Sequence, residues 1–109
     1  MKDIFDMRAE VAKALSHPVR LRVIDFLLEQ NEACVCDISE AISEGQSTTS
    51  KHLAVLKDAG VLSSRKDGLM VFYRLETPCV RNFFQCIDEV LLTDMQGRQR
   101  VLAAKETIS

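Results

Sequence analysis

The chain has 109 residues, 47% of them hydrophobic, a formal net charge of −2 and an isoelectric point near 5.6. That is one domain, residues 1–109, with enough apolar material for a small core, and its acidity argues against a general polyanion binder. No signal peptide or membrane-length apolar run stands in the sequence, which is read as cytoplasmic with no membrane partner.

From Asp3 to Leu15 the apolar residues Ile4, Phe5, Met7, Val11, Ala14 and Leu15 recur at helical spacing between charges. Ser16 is expected to cap a second helix, with Pro18 in its first turn, where a missing N–H costs nothing. Leu21, Ile24, Leu27 and Leu28 give that helix an apolar face, and Gln30-Asn31-Glu32 breaks it. Arg20 and Arg22 lie near its start, and Arg22 reads as ordinary surface charge. Asp37 and Glu40 fit a capping box that would start a short helix at Ile38 and carry it to about Ser43.

Glu44-Gly45 then connects tightly to the stretch that organises the chain, Gln46 to Gly60. Ser47 is the expected N-cap, Thr49, Leu53 and Leu56 fall on one inward face, and Gly60 suits the left-handed residue that closes a helix. Gln46, Ser47, Thr48, Thr49, Ser50, Lys51 and His52 are short donors, acceptors or cations, which are poor helix formers in isolation. They are suitable types for reading base edges from the start of a major-groove helix, although a merely solvated helix start has the same composition. Two short helices joined by a few residues containing Gly form a helix-turn-helix pattern.

After Gly60 the period changes from helical to alternating. Val61 to Lys66 and Met70 to Leu75 flank Asp67-Gly68, a hairpin signal. Such a hairpin is a wing, and Arg65, Lys66 and Arg74 on it could reach a flanking phosphate or minor groove. Between Gly45 and Leu75 five cations, Lys57 among them, face two anions, whereas the remainder carries nine cations and fourteen anions. A local basic footprint on an acidic body is compatible with a DNA binder.

Thr77-Pro78 would open a last helix whose Val80, Phe83, Phe84, Ile87, Val90 and Leu91 make a wide apolar stripe. With the first helix this is the natural place for a dimer interface, since two-fold related reading helices match half-sites one DNA turn apart. Gly97 is expected to end or weaken this helix, and Val101 to Ser109 to form a frayed tail. The fold class is therefore mainly α with a β-hairpin wing: a winged helix-turn-helix, dimeric through its first and last helices. No phosphate-cradling glycine loop is present, and Ser50 and His52, two apart on a helix, point to different sides. Nothing supports catalysis, so the chain is read as no enzyme and as using no organic cofactor.

Four cysteines in a cytosolic chain suggest metal binding, redox activity or simple burial rather than structural disulfides. If Asp37 is the N-cap, Cys34 and Cys36 both precede the helix in extended chain, lie on one side and can chelate one soft ion. The helix start would favour their thiolates. Zinc, copper(I), arsenite, antimonite, cadmium and lead all suit such ligands. Two small hydrophobes under a helix start is the rival reading. Cys79 and Cys86, seven apart on the last helix, are packing, a candidate third ligand, or partners in a thiol switch.

Cys34-Val35-Cys36-Asp37-Ile38, the run from Ser47 to Leu62, Arg65-Lys66-Asp67-Gly68 with the strand after it, and Leu15-Ser16-His17-Pro18-Val19-Arg20 resemble the ArsR/SmtB family of winged-helix metalloregulatory repressors. The resemblance covers about residues 8–92. It implies a homodimer that holds double-stranded operator DNA until a thiophilic inducer binds, with arsenite or antimonite the first expectation. The family's thiolate motif maps onto Cys34 and Cys36. Arsenic-sensing members carry a third cysteine three positions after the second, where this chain has Ser39. The zinc-type site of the last helix requires histidine, and here stand Asp88, Glu89 and Asp94. Two alternatives stay open: a redox or reactive-sulfur sensor on the same fold, and a winged-helix adaptor that reads no DNA.

Overall fold

The computed structural model describes residues 1–94 and 101–105, and the chain divides into two units, residues 1–77 and 78–109. The first unit runs α1 (Ile4–Leu15), α2 (Pro18–Glu29), β1 (Ala33–Cys34), α3 (Val35–Ile42), α4 (Gln46–Asp58), β2 (Leu62–Asp67) and β3 (Met70–Leu75). The second holds α5 (Val80–Thr93) and a helical stretch at 101–105, where the sequence predicts a frayed tail. The expected stop at Gly97 lies outside the described residues. Among the described residues no helix is long and apolar enough to cross a membrane.

The helix bodies fall where the periodicity places them, but several starts do not. Asp3 caps α1 through a reciprocal box with Asp6, at 2.9 and 3.1 Å. Ser16 closes α1 instead of opening α2. The cap of α2 is His17, whose Nδ1 accepts from the Val19 amide at 3.1 Å, and Pro18 is the first helical residue. α3 starts three residues before the expected Ile38, and its cap is Cys34 rather than Asp37. The Cys34 Sγ accepts from the Asp37 amide at 3.4 Å, so Asp37 supplies an amide to the cap and is not the cap itself.

α4 likewise starts at Gln46 on a Gly45 cap that has no side chain, so Ser47 sits inside the first turn. Its far end follows the sequence expectation. Gly60 takes φ +84, its amide donates to the Lys57 carbonyl at 2.9 Å, and the Val61 amide donates to the Leu56 carbonyl at 3.0 Å. This is the Schellman arrangement, with Val61 and Leu56 both buried. α3 ends on the same pair of bonds, but Ser43 holds the left-handed position at φ 57 without being glycine.

Val23, Ile24, Ile38, Leu53 and Leu56 are fully buried, so α2, α3 and α4 share one core. Each such side chain contributes about 1.5–3 kcal/mol by leaving water. The sheet order is β1-β3-β2, all antiparallel. Asp67 pairs with Met70, leaving Gly68 and Leu69 as a two-residue loop with Gly68 at φ +64. The two-residue strand β1 pairs Ala33 with Tyr73 and Cys34 with Phe72, which ties the cysteine segment to the wing.

Candidate nucleic-acid interface

The core fixes which side of α4 is free. Leu53 and Leu56 are buried, and so is Thr49, whose hydroxyl donates to the Gly45 carbonyl at 2.9 Å. Thr49 is therefore withdrawn from the base-reading set. The hydroxyl is spent on the carbonyl one turn back, the back-bonding common to threonine inside a helix. Gln46, Ser47, Thr48, Ser50 and Lys51 are all exposed. Val55, 39% exposed and one turn beyond Lys51, extends the same surface and offers apolar contact of the kind a thymine methyl accepts. Its exposure is the signal, and a sequence pattern that counts every valine as core does not show it.

His52 is half-buried. Its ring lies against that of His17, with centroids 4.4 Å apart and planes at 42°. Burial pulls its pKa below the ordinary 6.5, and the charges of His17 and Arg20 act the same way against a smaller opposing effect of Glu44. His52 thus joins α4 to the start of α2 and presents only part of its ring outward. Lys57 is exposed in the last turn, where a cation complements the negative end of the helix.

On the wing the three expected phosphate contacts separate. Lys66 is exposed and makes no ion pair among the described residues. Arg65 is engaged by Glu32 through two nitrogens, with Nε to Oε2 at 3.0 Å, and its guanidinium carbon sits 4.7 Å from the centroid of the Phe72 ring. Arg74 pairs with Glu76, Nε to Oε1 at 3.4 Å. Two of the three wing cations expected at phosphate are thus already paired with glutamates of the same chain. The basic footprint counted along the sequence is offset in space by Glu76, which adjoins it in sequence, and by Glu32, which the fold brings to it.

The cysteines also differ from expectation. Cys34 is buried as the cap of α3, whereas Cys36 is exposed inside its first turn, so the pair does not share one side of an extended segment. Cys36 has another partner: the Gln46 side-chain amide donates to its Sγ at 3.4 Å. Ser39, in the position of the family's third cysteine, is buried with its hydroxyl unpartnered. Cys79 and Cys86 are exposed and free. No group of three or more His, Cys, Asp or Glu is arranged for a metal ion among the described residues.

Helix-turn-helix, exposed polar helix start and hairpin wing together define a winged helix-turn-helix DNA-binding domain. Residues 17–64 match the model of the bacterial regulatory protein, arsR family. The chain is 33% identical to the arsenical resistance operon repressor of Escherichia coli over 98 residues, 90% of this chain and 84% of that protein. It is 40% identical to the cadmium resistance transcriptional regulatory protein CadC of Listeria innocua over 73 residues, 67% of this chain and 61% of that one. Its backbone also superposes on the homodimeric winged helix-turn-helix DNA-binding domain of a Mycobacterium bovis protein with a TM-score of 0.73. The identity there is 27%, over 86% of this chain and 89% of that one. The chain belongs to the ArsR family of transcriptional regulators.

Proposed function

We propose that residues 1–109 form one cytoplasmic winged helix-turn-helix domain that acts as a homodimeric repressor, released from operator DNA by a thiophilic ion, arsenite or antimonite first. The observation that carries the reading is the hydrogen bond from Gln46 to Cys36, which joins the cysteine pair to the first residue of the reading helix. Both sulfurs already have structural work: Cys34 caps α3 and Cys36 accepts from Gln46. An ion that takes both thiolates competes with both roles. Ligation withdraws the cap, loosens the first turn of α3 and frees Gln46, so that Ser47, Thr48, Ser50 and Lys51 lose their fixed approach to DNA. The arsenical and cadmium resistance regulators among its relatives support a soft inducer.

The homodimer rests on two apolar surfaces, each argued from its own helix. α1 exposes Ile4, Phe5, Met7 and Val11, and α5 exposes Phe83, Ile87, Val90 and Leu92. Faces of this kind on a small domain mark association surfaces. The homodimeric Mycobacterium bovis neighbour supports the same assembly.

The test is a count of reactive thiols in the reduced protein as arsenite is added, with Cys34→Ser and Cys36→Ser alongside. Protection of the exposed Cys36 by arsenite is expected, and its loss in Cys34→Ser, since Cys34 is already shielded by burial. A second reading, redox or reactive-sulfur sensing, is favoured by the exposed thiols of Cys36, Cys79 and Cys86. Reversible disulfide or polysulfide formation with no protection by arsenite or cadmium would establish that reading instead.

A further inference from the structure

The outer face of the wing sheet carries donors suited to an anion, and carboxylates of the same chain occupy them. The register places Ser63 opposite Arg74 and Arg65 opposite Phe72, so all four side chains share one face. They line an open cleft of about 400 Å³ together with Ser64, Glu32 and Glu76. Every nitrogen of the Arg65 guanidinium faces an acid. Nε and Nη2 bond the two oxygens of Glu32, and Nη1 lies 3.8 Å from an oxygen of Asp67. The guanidinium carbon sits over the Phe72 ring, 4.7 Å from its centroid, a cation–π contact that holds the fork at the sheet. Glu32 reaches this place from the loop before β1, 33 residues away in sequence, and the Arg65 bond holds its carboxyl below the ordinary carboxylate pKa.

A planar guanidinium binds carboxylate and phosphate with the same two-pronged geometry. We propose that Glu32 is an intramolecular phosphate mimic, which occupies the fork of Arg65 and so lowers operator affinity by competing with a DNA backbone phosphate. The inference rests on the DNA-binding reading and adds a residue that restrains it. Glu32 and Arg65 remain 32% and 52% exposed at the side chain, so the pair is accessible to an incoming phosphate and exchange requires no unfolding. Because exposed ion pairs are individually weak, the carboxylate gives way on docking and retakes the fork as the DNA leaves. A repressor that must let go on demand gains from such a built-in competitor.

The experiment measures binding of the reduced protein to a labelled fragment of its own upstream DNA across a range of salt concentrations, for the unmodified chain, Glu32→Gln, Arg65→Ala and the double variant. Glu32→Gln should tighten binding about two- to fivefold. The slope of log K against log salt should change by less than the roughly 0.9 of one phosphate contact, because Arg65 reaches the same phosphate in both proteins once Glu32 has given way. The gain should vanish in the Arg65→Ala background. A gain that persists without Arg65 would be general charge repulsion and would overturn the inference. Weaker binding by Glu32→Gln would make Glu32 a positioning residue for Arg65, and would overturn it equally. Salt-dependent binding by the unmodified chain with no change in Glu32→Gln would overturn the inference alone. No salt-dependent binding at all would overturn the DNA-binding reading with it.

Discussion

The side-chain amide of Gln46 and the sulfur of Cys36 meet at 3.4 Å, across the turn that separates α3 from α4. Sequence spacing alone places the cysteine pair beside the support helix that holds the reading helix, where a local distortion is the expected route between them. This contact supplies such a route, and the capping role of Cys34 adds a second. The two cysteines should therefore respond differently to substitution. Serine keeps an acceptor at the cap, so Cys34→Ser should retain the fold and operator binding while losing the inducer response. Cys34→Ala removes the acceptor and should cost about 1 kcal/mol in urea denaturation. Equal stability of the two variants would argue against the cap.

Neighbours on α4 should separate cleanly in DNA binding. Thr48→Ala or Lys51→Ala should each weaken operator binding by about 1–3 kcal/mol if a base contact is lost, with the dimer intact by sedimentation. Thr49→Val, at a side chain that is fully buried, should leave affinity unchanged and shift stability by less than about 1.5 kcal/mol. An affinity loss at Thr49 matching that at Thr48 would contradict the orientation of α4.

Ser43 closes α3 at φ 57, a conformation that disfavours any side chain. Ser43→Gly should stabilise the protein by about 0.5–1 kcal/mol, the relieved strain outweighing the added freedom of the unfolded chain. Urea unfolding midpoints read this directly, and a loss of stability would place the strain elsewhere.

The depressed pKa of His52 sets a sign for the pH dependence of stability. Above the unfolded value near 6.5 both states hold a neutral ring and the group contributes nothing to the dependence. As pH falls below 6.5 the unfolded chain takes up the proton more readily than the folded one, so stability declines until the folded pKa is passed. In His52→Gln that part of the decline should disappear from thermal melts between pH 7 and 5. An unchanged decline would assign it to other groups.

Ser39 keeps a buried hydroxyl without a partner, which is costly in an apolar setting. Ser39→Cys should be tolerated or stabilising, since a thiol behaves as a small hydrophobe. If Cys34 and Cys36 bind arsenite, a third thiol one helical turn after Cys36 should tighten that binding in an isothermal titration. Unchanged affinity would show that position 39 is out of reach of the ion.

Much of the fold was legible because its signals are local. Gly60, the switch from helical to alternating period, and Asp67-Gly68 each act within a few residues, and the structure follows them. The helix starts were misread for a chemical reason. Ser16, Ser47 and Asp37 are good cap types, yet His17, Gly45 and Cys34 hold the positions, and none of these is a favoured side-chain cap. The sequence located α4 and its inward face of Thr49, Leu53 and Leu56, but residue type alone also counted Thr49 with the exposed donors, and orientation separates it from Thr48. The neutralised wing was beyond reach, because Glu32 and Arg65 meet only after β1 has joined β3.

The most direct test of the account is a fluorescence-anisotropy titration of the reduced protein on its own upstream DNA, with and without arsenite, repeated for Cys34→Ser. The account predicts saturable, salt-sensitive binding that arsenite abolishes in the unmodified chain and leaves intact in Cys34→Ser. Binding indifferent to arsenite, or release that survives Cys34→Ser, would contradict the proposal that a soft ion acts through this cysteine pair.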